Sequence, residues 1–126
     1  MEHLSDENAA VRAIAASASQ PVFTYKHSPI CGLSETAQIE FDRFRASEGE
    51  GERFRFYQVD VIGARRASLA IERLLGVLHE SPQVLMISDS RCVWHGSHRA
   101  IKEDRLRTAA GSLWHSQAGP GGLAAA

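Results

Sequence analysis

Cys31 and Ser34, three residues apart, are the side chains whose types and spacing speak most directly of chemistry. They follow the short apolar run Pro21 to Tyr25 and open a stretch that reads as an amphipathic helix, so Cys31 stands at a strand-to-helix turn. The free N–H groups and positive dipole end of a helix favour a thiolate over a thiol. Such sites bring a cysteine pKa from roughly 8.5 into the range of about 3.5 to 7.5. In a dithiol oxidoreductase a second cysteine at the Ser34 position would resolve a mixed disulfide internally. A serine there can only donate a hydrogen bond to the Cys31 sulfur. The spacing predicts a one-thiol redox site, with Cys31 as nucleophile and Ser34 supporting its thiolate. Lys26 and His27, just before the turn, add positive charge that can stabilise the thiolate or a carboxylate on a bound small thiol.

The elements that must position these residues follow from periodicity. Ser5, with Asp6 and Glu7 after it, starts a helix that runs to about Ala18 with an apolar stripe of Val11, Ile14 and Ala15. Val22, Phe23 and Tyr25 form a strand, and Ser34 to Ala46 a helix with Ala37, Phe41 and Phe44 on one face. Glu48 to Glu52 is a loop by composition, and Phe54 to Val59 alternates as a second strand ending at Asp60. Ser68 to Leu75 is a helix stopped by Gly76. Gln83 to Ile87 is an almost wholly apolar strand, Asp89-Ser90 a tight turn, and Cys92 to His95 an antiparallel return. A last helix spans Arg99 to Leu113, with a flexible Gly, Pro and Ala tail from Ala118 to Ala126 after a single domain of residues 1–117. The expected fold class is α/β, resembling the thioredoxin-like arrangement: a central four-stranded mixed sheet flanked by helices, with an added N-terminal helix.

Composition narrows the partners. A formal net charge of -1, with acids and bases interspersed, argues against a nucleic-acid binder. Glu2, Asp6 and Glu7 stand where a signal peptide would need basic residues, and no apolar run approaches a membrane span, so a cytoplasmic, monomeric protein is expected. In a reducing compartment the two cysteines are better read as a reactive and a buried thiol than as a disulfide. Cys92 begins the return strand at the end of the sheet far from Cys31 and is expected to be structural. The six histidines never pair with a cysteine at zinc-ligand spacing, so no metal is expected.

The residues also resemble a known family, the monothiol bacilliredoxins, thioredoxin-fold proteins of the bacillithiol system. Phe23 to Ser28 leading into Cys31-Gly32-Leu33-Ser34, then Val59-Asp60, then Gly76 to Val84 with its His79-Glu80-Ser81-Pro82-Gln83 run, and His95 to His98 carry the likeness, from about Pro21 to Ile101. The resemblance implies reduction of mixed disulfides between bacillithiol, or a similar low-molecular-weight thiol, and protein cysteines. The small thiol would be a co-substrate, with no bound cofactor, and S-thiolated client proteins would be the partners. It further implies that Pro82 follows a cis peptide bond and faces Cys31. The Ser81 backbone would then meet an extended substrate by strand-like hydrogen bonds. His79, before that proline, and His98, at the head of the last helix, would flank the same pocket. The family usually carries Cys-Pro-Ile-Ser, whereas Gly32 and Leu33 fill the middle here, so the helix start lacks a proline that would pre-set its backbone.

Two other readings stay open on the residues alone. Ser28-Pro29-Ile30-Cys31 fits part of a peroxiredoxin signature, though Thr24 stands where that signature has proline. A redox-sensing thioredoxin-fold module, modified at Cys31 without turnover, shares every feature above. A phosphatase or arsenate-reductase loop fails, because the arginine needed six positions after the cysteine is Ala37.

Overall fold

Strict alternation along the central strand sets the layers of the protein. In β2 (Val22–His27), Phe23 and Tyr25 enter one apolar cluster and Val22 the other, because successive side chains leave opposite faces of a strand. The computed structural model describes residues 1–48 and 53–118. Its sheet has the order β1 (Glu2–His3), β3 (Arg55–Asp60), β2, β4 (Gln83–Ser88), β5 (Arg91–Ser97). β1 and β2 run parallel to β3, and β4 is antiparallel to both β2 and β5. The helices α2 (Gly32–Glu48) and α4 (Glu103–Ala118) cover one face, and α1 (Glu7–Ala16) and α3 (Arg65–Leu75) the other.

The α2/α4 face is aromatic. Phe23, fully buried, meets Phe44 edge-on at 4.9 Å and Phe54 at 5.0 Å, and Phe41 stacks on Tyr25 at 5.2 Å. The α1/α3 face is built from smaller residues, including Ala10, Ala13, Ala67 and Ala70, which bring both helices close to Val59, Leu85 and Ile87. The Asp89-Ser90 hairpin turn has positive φ at both residues, which suits the right-handed twist of the flanking strands. At Gly96 an added Cβ would lie 2.8 Å from the Trp94 ring, so the close packing of β5 on its own neighbour requires glycine there.

Several boundaries move. The sheet has five strands rather than four: Glu2 and His3 pair with Tyr57 and Gln58, and Leu4 continues the contact through its N–H to the Gln58 carbonyl at 2.8 Å. α1 is capped by Asp6, whose carboxylate accepts from the Ala9 N–H at 2.8 Å, instead of Ser5. Its buried face is Ala10, Ala13 and Ile14, so Val11 and Ala15 point outward. α3 begins at Arg65, and α4 only at Glu103 because His98–Ala100 forms a separate 3₁₀ turn. Positions 49–52 of the expected loop and 119–126 of the expected tail lie outside the described residues. Among the described residues no helix is long and apolar enough to cross a membrane, and no group of three or more His, Cys, Asp or Glu could hold a metal ion.

Candidate functional site

β2 ends at His27, beside Asp60 at the end of β3, and the chain turns through Ser28 to Cys31 before α2 begins. Three hydrogen bonds close that turn. Cys31 N–H donates to the Ser28 carbonyl at 3.3 Å, Ser34 N–H to the Cys31 carbonyl at 3.0 Å, and Ser28 N–H to Ser34 Oγ at 3.2 Å. Ser34 is fully buried. Its oxygen therefore ties the loop to the first turn of the helix, and a hydroxyl in that position keeps its own proton to donate. Cys31 is half-buried and opens into a groove of about 480 Å³ that His27, Glu35, Gln38 and Ile39 also line. Ile30 and Leu33, either side of the Cys31-Gly32 pair, are exposed.

Tyr25, which the sequence placed only on a strand, supports this turn from below. Its hydroxyl donates to the Ser34 carbonyl at 2.9 Å and lies 3.4 Å from His27 Nδ1. Burial holds that phenol protonated well above its ordinary range. Asp60 shapes the neighbouring corner: its carboxylate accepts the Ile62 and Gly63 N–H groups, and these backbone donors hold it below the usual carboxylate range.

Lys26 goes elsewhere. It has the strand parity of Val22, so its stem enters the α1/α3 face while α2 and Cys31 belong to the other. The ammonium is fully buried and lies 3.0 Å from His79 Nδ1, and Ser68 Oγ is 3.3 Å from the same nitrogen. Glu72 anchors the loop by accepting the His79 backbone N–H at 2.7 Å. Burial pushes the Lys26 amine down to about 8, partly offset by Glu72, and burial followed by the Lys26 charge lowers His79. Two expected site residues, Lys26 and His79, thus meet each other, and their described partners are Ser68 and Glu72, not Cys31. Ser68 and Glu72 were missed. The i, i+4 spacing on α3 was their only signal.

The third wall is the segment before β4. The Ser81–Pro82 peptide is cis, and Gln83 pairs with Lys26, which sets Pro82 level with His27 at the edge from which the Cys31 loop departs. His98 is part of this wall: its N–H donates to the Pro82 carbonyl at 3.0 Å and its Nδ1 lies 3.3 Å from a Glu80 carboxylate oxygen. Cys92 is remote. It pairs with Ile87, which pairs with Val22 at the opposite end of β2, and its thiol donates to the Trp94 carbonyl. Both cysteines are free, and burial pushes the Cys92 thiol up.

The family model described as "Monothiol bacilliredoxin BrxC" matches residues 2–106. Among solved structures the chain is similar to a thioredoxin-fold protein described as a candidate oxidoreductase, at 28% identity and a TM-score of 0.75, covering 86% of this chain and 91% of that one. It is also similar to the Fasciola hepatica thioredoxin, at 16% identity and a TM-score of 0.70 over 89% of this chain and 98% of that one. Mitochondrial thioredoxin 3 of Saccharomyces cerevisiae matches at 12% identity and a TM-score of 0.69, over 90% and 95%. These last two speak for the fold alone.

Proposed function

The chain belongs to the monothiol bacilliredoxin family, and from that premise we propose that it reduces mixed disulfides between a small thiol, bacillithiol or a close chemical relative, and protein cysteines in the cytoplasm. The observation that carries this reading is the pairing at the head of α2: an accessible thiol at Cys31 and, three residues on, a fully buried hydroxyl at Ser34 in place of a resolving thiol. Cys31 thiolate attacks the small-thiol sulfur, forming a new disulfide to Cys31 and releasing the client cysteine as a thiolate that takes a proton from water. A second small-thiol thiolate then attacks the adduct at its small-thiol sulfur, leaving a symmetric small-thiol disulfide and regenerating Cys31. The oxidising equivalent passes from client to small thiol, with no metal or nucleotide in either step.

The Ser34 hydroxyl and the Gly32 and Leu33 N–H groups at the helix start stabilise the attacking and departing thiolates. The backbone beside cis Pro82 receives the extended part of the substrate. His27 borders the groove from the β2 end, and His98 keeps the Pro82 segment in place through its N–H.

Release of a client from its bacillithiol adduct, followed at steady state, tests the reading. C31S should lose at least about a thousandfold in rate, since a serine hydroxyl has no comparable nucleophile near neutral pH, while C92S stays within about twofold. An adduct on Cys31 that forms without turnover would replace the enzyme reading by a sensing one.

A further inference from the structure

Lys26 is a fully buried cation that the exchange chemistry above does not use, and it is spent on one nitrogen of one histidine. An ammonium can only donate, so the atom it meets must be an acceptor. At His79 that atom is Nδ1, and a neutral imidazole whose Nδ1 accepts carries its proton on Nε2. Ser68 Oγ, at 3.3 Å from the same nitrogen, can donate to it as well. Nε2 has no hydrogen bond among the described residues, and the ring is only half-buried. The histidine backbone is held independently by Glu72, so loss of the ammonium leaves the loop itself anchored.

Resting on the exchange reading, we propose that Lys26 is a positioning residue that fixes His79 as a neutral Nε2–H donor, which binds a carbonyl or carboxylate oxygen of the mixed disulfide seated along the Ser81–Pro82 edge. His79 stands in the loop that runs directly into that edge, and the Lys26–Gln83 register puts its amine partner beneath it. A lysine in this position excludes the imidazolium, since a proton on Nδ1 would face the ammonium. Of the other charged groups around the ring, Glu72 on α3 and Glu80 in the loop favour the imidazolium and Arg65 on α3 opposes it, and burial with the Lys26 charge outweighs the two carboxylates. Gln83, across the ladder from Lys26, gives its amide nitrogen to the Leu78 carbonyl, and its buried Oε1 makes no hydrogen bond to the amine.

Long-range proton–nitrogen NMR on the full chain, read without any substrate, should show His79 as the Nε2–H tautomer at pH 7. K26M should raise its titration by at least about half a pH unit. Exchange kinetics on a peptide carrying a cysteine mixed disulfide should show KM raised about tenfold, with kcat within about twofold, in both K26M and H79N. H79Q, whose amide nitrogen replaces Nε2, should recover most of the H79N loss. Repeating the series with a cysteamine mixed disulfide separates the sources of the oxygen: a penalty that disappears assigns it to the small thiol's carboxylate, and one that persists assigns it to the client backbone. A proton on Nδ1, an unchanged titration in K26M, or an unchanged KM in H79N overturns the proposal. The NMR arm stands apart from turnover, so absence of exchange in the wild type with the tautomer confirmed would count against the exchange reading and leave the lock between Lys26 and His79 intact.

Discussion

Tyr25 reaches under the reactive loop to donate its hydroxyl to the Ser34 carbonyl at 2.9 Å, joining the central strand to the first turn of the helix that begins beside Cys31. The donor is fully buried, so its loss cannot be made good by water. Tyr25 and Lys26, adjacent in the chain, thereby serve opposite faces of the sheet. One supports the helix start and the other the loop before Pro82.

Removing that hydroxyl while keeping the ring tests the first of these links. Y25F should lose about 1 kcal/mol of stability, the ordinary net value of a hydrogen bond whose acceptor has other partners nearby. Urea unfolding should show the midpoint fall with an unchanged slope. A variant as stable as the wild type would mean that the bond does not anchor α2.

The aromatic face should be far less tolerant. Phe23 touches Phe44, Phe54 and Phe56, all buried, so removing its ring opens a cavity among them. F23A should cost about 3 to 5 kcal/mol, measured by the same unfolding experiment. A loss below about 1 kcal/mol would show that the cluster repacks.

The two cysteines should separate cleanly under alkylation. Cys92 is pushed up by burial and its thiol is engaged with the Trp94 carbonyl, whereas Cys31 opens into the groove. A limiting dose of iodoacetamide on folded protein at pH 8 should therefore place one carbamidomethyl group on Cys31 and leave the Cys92 thiol unlabelled. Comparable labelling of both by peptide mass spectrometry would contradict the placement of Cys92.

Much of this arrangement was legible because strong periodicity rarely misleads. Phe41 and Phe44 fixed the buried face of α2, Gly76 ended α3 in the left-handed conformation at φ 71°, and the apolar β4 could only be central. β1 escaped because two exposed residues carry no alternation to read. The stripe on α1 was misplaced because alanines at nearly every position flatten the pattern, and Val11 drew the face away from Ala10 and Ala13. At the site, local spacing correctly put Cys31 and Ser34 on one turn. The destination of Lys26 was a matter of strand parity: the same alternation that sends Tyr25 toward α2 sends its neighbour toward α3, a step that nearness to Cys31 in the chain conceals.

The buried amine also gives stability a pH dependence with a definite sign. Burial lowers Lys26 from its ordinary 10.5 to about 8 in the folded protein, so between those values the unfolded chain binds the extra proton and stability rises with pH. Below about 8 the amine is charged in both states and the penalty is complete. K26M lacks this titration. Above the His79 titration, which K26M itself shifts, the stability of the wild type relative to K26M should therefore climb from about pH 8 toward pH 10 by up to about 3 kcal/mol, at about 1.4 kcal/mol per pH unit. Tyr25 and Cys92 are common to both proteins, so their own titrations cancel in the difference. Urea unfolding at pH 7, 8.5 and 9.5 supplies the three points that matter, and a difference that stays constant or falls with pH would place the Lys26 amine in water instead of beneath His79.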